Sequence, residues 1–244
     1  MPETLPETLP FQPAAATAQR LPGRLPTPQP PALPFADRAE AGRLLAREVA
    51  ALGLANPVVL ALPRGGVPVA AEVARVLHAP LDLLLVRKIG APGNPELAVA
   101  AVSDGPQPQC VMDESMMAAT GADAAWVEAR KADALREIER RRARYMAGRP
   151  PVPLAGKTVV LVDDGVATGA TARVAIQAAR AGQPANVVLA VPVAAAEPLS
   201  VLAALADRVV CLAQPAWFHA VGVHYRRFPQ VGDDEVVSLL AAAR

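Results

Sequence analysis

The sequence predicts an α/β fold built on a mainly parallel sheet flanked by helices on both faces. Three observations carry this. Short aliphatic runs recur along the chain without the polar alternation of a half-solvated strand. Helical patterns separate them. Glycine-bearing turns follow Leu62 and Val162, at the carboxyl ends of two such runs, the edge where open α/β sheets receive ligands.

The elements follow in order. Asp37 is a candidate N-cap for a helix whose stripe is Leu44, Leu45, Val49 and Leu52. PVVLALP, bounded by Pro57 and Pro63, reads as a buried strand, and RGGVPVAAEVARVL as a glycine turn entering a helix. LDLLLVRK reads as one strand, IGAPGNPE as a loop, and LAVAAVSDG as another strand. Residues 123–147 predict a charged helix with Val127, Ala134, Ile138 and Tyr145 on one face. TVVLVDD is a strand, GATARVAIQAARAG a helix stopped by Gly182, and NVVLAVPV a strand. A helix near Glu197–Ala206, the strand RVVCLAQ and a helix over Asp233–Ala243 complete the pattern.

Before this body, residues 1–33 form a separate regime. Ten of the 26 prolines fall within the first 34 residues, a density that favours extended, solvated chain. The expected organisation is a disordered tail over 1–33 and a domain over 34–244, with a charged helical insertion over 112–150.

A chain of 244 residues with 52% hydrophobic and 19% charged residues buries a substantial core. Its net charge of +1 argues against non-specific nucleic-acid binding. Cys110 and Cys211 make neither a disulfide framework nor a metal-ligand spacing. No window reads as a signal peptide or a bilayer span, so a cytoplasmic setting without membrane contact is the expectation.

One stretch concentrates chemistry. VVLVDDGVATGAT, Val159–Thr171, runs from a strand into two carboxylates, Asp163 and Asp164, and then into a small-residue loop. That loop (Val166, Ala167, Thr168, Gly169, Ala170, Thr171) suits an anion, because small residues let backbone N–H groups converge and threonines add hydroxyl donors. The bland reading is an acidic strand end beside a helix cap. GKT at Gly156–Thr158 is a decoy: a P-loop needs glycine five residues before Gly156, where Pro151 stands, and a strand before the loop.

The stretch resembles the phosphoribosyl-diphosphate signature of the type I phosphoribosyltransferases, with Gly165 standing where that family usually has an aliphatic residue. The resemblance extends over about residues 35–244. LPRGGVPVA looks like the family's pyrophosphate loop, which implies Arg64, Gly65 and Gly66 as pyrophosphate contacts; a plain glycine turn explains RGG alone equally well. VRK with the loop Ile89–Glu96 sits where the family carries a mobile lid, adding Arg87 and Lys88 against pyrophosphate, with an exposed strand-end lysine as the bland reading. The ensemble is most similar to a bacterial group of phosphoribosyltransferases whose base is generally unassigned.

The resemblance implies Mg²⁺-dependent transfer of phosphoribose from phosphoribosyl diphosphate to a nitrogenous base, with release of pyrophosphate, in nucleotide salvage. Asp163, Asp164 and Lys88 form the implied catalytic set, the acids meeting the ribose hydroxyls and the loop Val166–Thr171 the 5-phosphate. Mg²⁺ is expected through the ligand, with Asp163 and Asp164 as candidate protein contacts. Hypoxanthine–guanine enzymes carry an aspartate three residues after the second acid; here that position is Ala167, which disfavours a standard 6-oxopurine mechanism.

The resemblance also implies a small C-terminal hood over 212–232 that holds the base. Trp217, Phe218 and Tyr225 cluster there, where stacking on a base competes with core packing for each. His219 and His224 are candidates to reach the base, against a surface or core role, and Glu96 in the lid is a candidate acid–base group, against a plain exposed loop glutamate. A homodimer is expected. Two rivals remain: a non-catalytic phosphoribosyl-diphosphate sensor, and RNA binding through ERRRAR at Glu139–Arg144, against which the interleaved acids and the Glu137–Arg141 spacing argue.

Overall fold

The computed structural model describes residues 31–104 and 108–243. Most of the proline-rich tail expected at residues 1–33 therefore lies outside the described residues.

The first helix, α1 (Arg38–Ala50), begins where expected, because the Asp37 carboxylate accepts the Glu40 N–H. β1 (Pro57–Ala61), α2 (Gly66–Leu77) and β2 (Leu81–Leu83) follow, then β3 (Val86–Ala91), β4 (Asn94–Ser103) and β5 (Cys110–Met112). Next come α3 (Glu114–Thr120), α4 (Ala124–Met146), β6 (Thr158–Val162), α5 (Ala170–Ala181) and β7 (Asn186–Val193). The described chain closes with α6 (Ala196–Ala203), β8 (Arg208–Ala213), a 3₁₀ turn (Val221–His224) and α7 (Asp233–Ala242).

The main sheet has the order β2-β1-β6-β7-β8 with every pairing parallel, which the unbroken aliphatic runs predict. Alternate residues serve opposite faces. Val59, Val160, Val162 and Val188 pack with α1, α2 and α7, while Val58, Val159, Leu161 and Leu189 pack with α5 and α6. Helices on both faces thus follow from strands apolar on both faces.

Two expectations fail in the middle of the chain. LDLLLVRK is not one strand: β2 stays in the main sheet, and β3 leaves it for a second, antiparallel sheet of order β3-β4-β5. A buried polar hub turns the chain there. Asp82 accepts the N–H groups of Leu83 (2.6 Å) and Val152 (2.8 Å), and Asp104 accepts that of Leu85 (2.8 Å). Arg142 of α4 donates from Nε to Asp104 (2.7 Å) and from its other nitrogens to Asp82 and the Leu83 carbonyl.

The stretch Ile89–Glu96 is likewise not an open loop. β3 and β4 continue through it to a tip at Pro92 and Gly93, where Gly93 takes φ +73°. Proline and glycine here mark a tight reversal with a register shift at Gly90. Ile89, Val99 and Val102 form a small separate core with Val127 and Ala134 of α4, and Trp126 donates its indole N–H to the Gly90 carbonyl.

The charged helix is as predicted: Asp123 caps α4, and Val127, Ala134, Ile138 and Tyr145 are buried. Most of its arginines are paired with acids, while Arg130 stacks on Trp126. Arg140 and Arg141 meet Glu137, Arg142 the hub, and Arg144 Asp233. No helix among the described residues is long and apolar enough to cross a membrane.

Candidate functional site

β6 is the middle strand of the main sheet and ends at Val162, so Asp163 and Asp164 emerge at the centre of its carboxyl edge. β1 runs in register beside it, Ala61 opposite Val162, and delivers Leu62–Gly66 to the same edge. The two motifs meet in contact. A Cβ on Gly66 would stand 2.7 Å from the Val162 carbonyl oxygen and 2.9 Å from the Asp163 Cα, and one on Gly65 would overlap the Asp164 carboxylate. Only glycine fits at either position while the acids stay where they are.

The two carboxyls differ in surroundings. Burial pushes the Asp163 carboxyl well above the usual range, and the adjacent Asp164 charge pushes it further, against the opposing pull of Arg38 and Lys88. Its Oδ1 accepts the Asp164 N–H at 2.9 Å. Asp164 is also raised by burial, but Arg38 opposes this directly: Arg38 Nε donates to Asp164 Oδ2 at 2.8 Å, and both side chains are largely buried. Lys88, exposed on β3, lies near enough for its charge to act on Asp163.

Beyond the acids, Val166 is consumed by the scaffold. Its N–H donates to the Val193 carbonyl and its carbonyl accepts the Ala195 N–H. The Val166 amide is therefore already spent within the scaffold. Gly169 caps α5 with φ +76°, and the first intrahelical bond runs from the Arg173 N–H to the Gly169 carbonyl. The N–H groups of Ala170, Thr171 and Ala172 are left without intrahelical acceptors at the positive end of the helix dipole. Ala167, Thr168, Gly169 and Ala170 line a cavity of about 480 Å³, with Lys88 and Arg173 also on its wall.

The other expected residues scatter. Arg64 stands at the glycine turn, but its guanidinium approaches Asp233 of α7 at 3.4 Å, and that carboxylate also accepts the Tyr145 hydroxyl at 2.7 Å. Arg87 is not brought beside Lys88: neighbours on a strand face opposite ways, and it pairs with Glu137 of α4 at 3.8 Å. Glu96 falls in β4 near the hairpin tip.

The hood aromatics divide. Trp217 is 83% exposed. Phe218 packs on His224, ring centroids 4.9 Å apart. Tyr225 is buried, with its hydroxyl donating to the Asp164 carbonyl at 2.5 Å, and burial raises its pKa. His224 is buried and His219 exposed.

A two-carboxylate edge suits Mg²⁺, a hard ion that takes one or two carboxylates and fills its remaining positions from substrate oxygens and water. No group of three or more His, Cys, Asp or Glu side chains among the described residues could cage a metal, so the fit is to an ion held jointly with substrate.

Sequence reading missed three contributors. Arg38 opens α1, where a cation opposes the helix dipole; that misfit was its one signal. Asp233 carried no signal. Val221 fills the space beside Gly165, where a Cβ would stand 2.6 Å from its Cγ1, and the departure at Gly165 hinted at such a neighbour.

The family described as "Phosphoribosyl transferase domain" matches residues 36–226. Two Mycobacterium tuberculosis proteins that bear the name "putative phosphoribosyl transferase" are 50% identical over 210 residues, 86% of this chain and 47% of theirs. The chain thus spans about half the length of the curated relatives it matches. The crystal structure of TT1426 from Thermus thermophilus superposes with a TM-score of 0.74 at 46% identity, over 85% of this chain and 98% of that one. With two glycines seated against paired acids and an open helix N-terminus beside them, the chain belongs to the type I phosphoribosyl transferase domain family.

Proposed function

We propose that this chain transfers the phosphoribosyl group of phosphoribosyl diphosphate to the nitrogen of a nucleobase-like acceptor and releases pyrophosphate. The observation that carries the reading is the seating of Gly65 and Gly66 against Asp164 and Asp163, with the bare N-terminus of α5 following at once. One ligand presenting pyrophosphate, sugar hydroxyls and a 5-phosphate in that order matches the three neighbouring parts.

In this reading the glycine turn lets backbone and Arg64 approach pyrophosphate, and Lys88 adds a second charge from β3. Asp163 and Asp164 accept hydrogen bonds from ribose hydroxyls, and the amides of Ala170 and Thr171 with the Thr168 and Thr171 hydroxyls receive the phosphate. The bond from C1 to the pyrophosphate oxygen breaks with its electron pair leaving on pyrophosphate, and a bond from C1 to the base nitrogen forms. The transient positive charge on the sugar is offset by the acids beneath it. Asp163 or Asp164 would hold Mg²⁺ together with substrate, and the ion would supply neutralisation of charge on the leaving group. Ala167 supplies no acid for the base, so its proton passes to solvent or to pyrophosphate, which disfavours the usual 6-oxopurine chemistry. Trp217, Phe218 and Tyr225 remain proposed neighbours of the base, and a homodimer, a salvage role and a cytoplasmic setting belong to the same reading.

The test is a screen of purine, pyrimidine and related bases with phosphoribosyl diphosphate and Mg²⁺, measuring pyrophosphate release. Base-dependent release is expected. Ligand binding without release for any base favours the sensor instead, and robust turnover of hypoxanthine or guanine contradicts the inference from Ala167.

A further inference from the structure

Asp164 sits at a junction between the sugar site and the C-terminal hood. Arg38 is 9% exposed and its guanidinium makes three contacts. Nε donates to Asp164 Oδ2 (2.8 Å), one terminal nitrogen donates to the Pro229 carbonyl (2.8 Å), and the guanidinium carbon lies 3.6 Å from the centre of the Phe228 ring. On the far side, Tyr225 donates to the Asp164 backbone carbonyl. The cation itself is fixed by backbone pairing between the start of the domain and the hood: Phe35 N–H to the His224 carbonyl (2.9 Å), and the Arg226 and Arg227 N–H groups to the Phe35 and Ala36 carbonyls (2.7 and 3.0 Å).

We propose that Arg38 is a positioning residue of the sugar site, which holds Asp164 by Oδ2 and presents Oδ1 to a ribose hydroxyl. A lone carboxylate at the rim of a glycine turn rotates among several orientations. Here Oδ2 has a planar, buried, charge-assisted partner, and Oδ1 accepts from no other residue among the described ones. The partner is wedged between an aromatic face and a backbone carbonyl, so it cannot follow Asp164 away from that orientation. Lysine carries the same charge but cannot span these three contacts. The assignment rests on the transferase reading, because it needs a sugar hydroxyl at Asp164. Arg38 has no part in the pyrophosphate subsite, which that reading gives to the glycine turn and Arg64.

That division supplies the test. Wild type, Arg38→Met and Arg38→Lys are titrated calorimetrically with phosphoribosyl diphosphate, ribose 5-phosphate and pyrophosphate, each with Mg²⁺. Arg38→Met is expected to bind both sugar phosphates about tenfold to a hundredfold more weakly, the range for losing a charge-assisted hydrogen bond, and pyrophosphate unchanged. Arg38→Lys falls between, and it carries the test alone if Arg38→Met does not fold. Millimolar guanidinium added to Arg38→Ala restores part of the sugar-phosphate affinity. Unchanged sugar-phosphate binding in both variants overturns the assignment, and so does a parallel loss for pyrophosphate, which reports a general disturbance. A wild type that binds pyrophosphate but neither sugar phosphate overturns the transferase reading, and this assignment with it.

Discussion

Gly66 lies so close to Asp163 that a methyl group on its Cα would stand 2.9 Å from the Asp163 Cα and 2.7 Å from the Val162 carbonyl oxygen. Both obstacles are backbone, so neither can turn aside. Gly66→Ala is expected to cost about 1–3 kcal/mol in stability through overpacking and to weaken binding of phosphoribosyl diphosphate. Denaturant melts and titration calorimetry read the two effects. A variant with wild-type stability and affinity would show that the turn and the acids do not form one unit.

The acids themselves should trade stability for function. Asp163 is raised above its unfolded pKa by burial, so its ionised form burdens the folded protein at neutral pH. A raised acid favours the fold at low pH and loses that advantage as pH rises through its folded pKa. Asp163→Asn with Asp164→Asn is therefore expected to abolish ligand use, while the relief at position 163 offsets part of the cost of leaving Arg38 without its carboxylate at pH 7. Relative to wild type, its Tm should decline as the pH falls toward the ordinary carboxylate range. Retained turnover in the double variant contradicts the site assignment.

Gly165 and Val221 test the docking of the hood. A side chain at position 165 would meet the Val221 methyls at 2.6 and 3.0 Å. Gly165→Val should destabilise by about 1–3 kcal/mol, and Val221→Ala added to it should recover part of the loss in a double-mutant cycle. Simple additivity of the two substitutions would show that these residues do not compete for one space.

At the polar hub, Arg142 bridges two carboxylates whose side chains are 2% and 9% exposed. Arg142→Met leaves both buried without that cation, at an expected cost of about 3–5 kcal/mol in chemical denaturation. Desolvation already raises Asp104, and replacing both acids by asparagine in the Arg142→Met background should return much of the loss.

The Asp37 cap offers a milder case. Its pKa is lowered by the Glu40 N–H bond and then by Arg227, so its contribution is full above the ordinary carboxylate range and disappears as pH falls below it. Asp37→Ala is expected to cost about 1 kcal/mol at pH 7 and much less in strong acid, as followed by thermal melts.

The main sheet was legible because its strands are apolar on both faces, a pattern that leaves few arrangements besides helices above and below. The acids and the small-residue loop were legible because they are contiguous in sequence. What escaped depended on partners far along the chain. Asp82 looks like one tolerated polar residue in a strand, yet its bonds to Leu83 and Val152 help to divide LDLLLVRK between two sheets. Pro92 and Gly93 signal a break without giving its length, so a tight reversal is indistinguishable from a longer loop. Val166 fits the phosphate loop by sequence, but its amide is spent on Val193 of the next strand. Arg38 acts on a residue 126 positions away, and local pattern does not report such a distance.

The pairing of Phe35 and Ala36 with residues 224–227 has a consequence for how the domain is made. Asp37 and Arg227, which close this clasp, stand 190 positions apart. Bringing such distant segments together costs loop-closure entropy, so the clasp relies on the packed sheet to hold its ends near one another. During synthesis, the partners of Asp164 are made at different times, Arg38 well before the acid and Tyr225 well after it. A nascent chain that stops short of Tyr225 carries the glycine turn, both acids and the loop, yet lacks the tyrosine and the strap that secure Asp164. Assembly of the proposed sugar site thus waits until the segment that carries Tyr225 has been made.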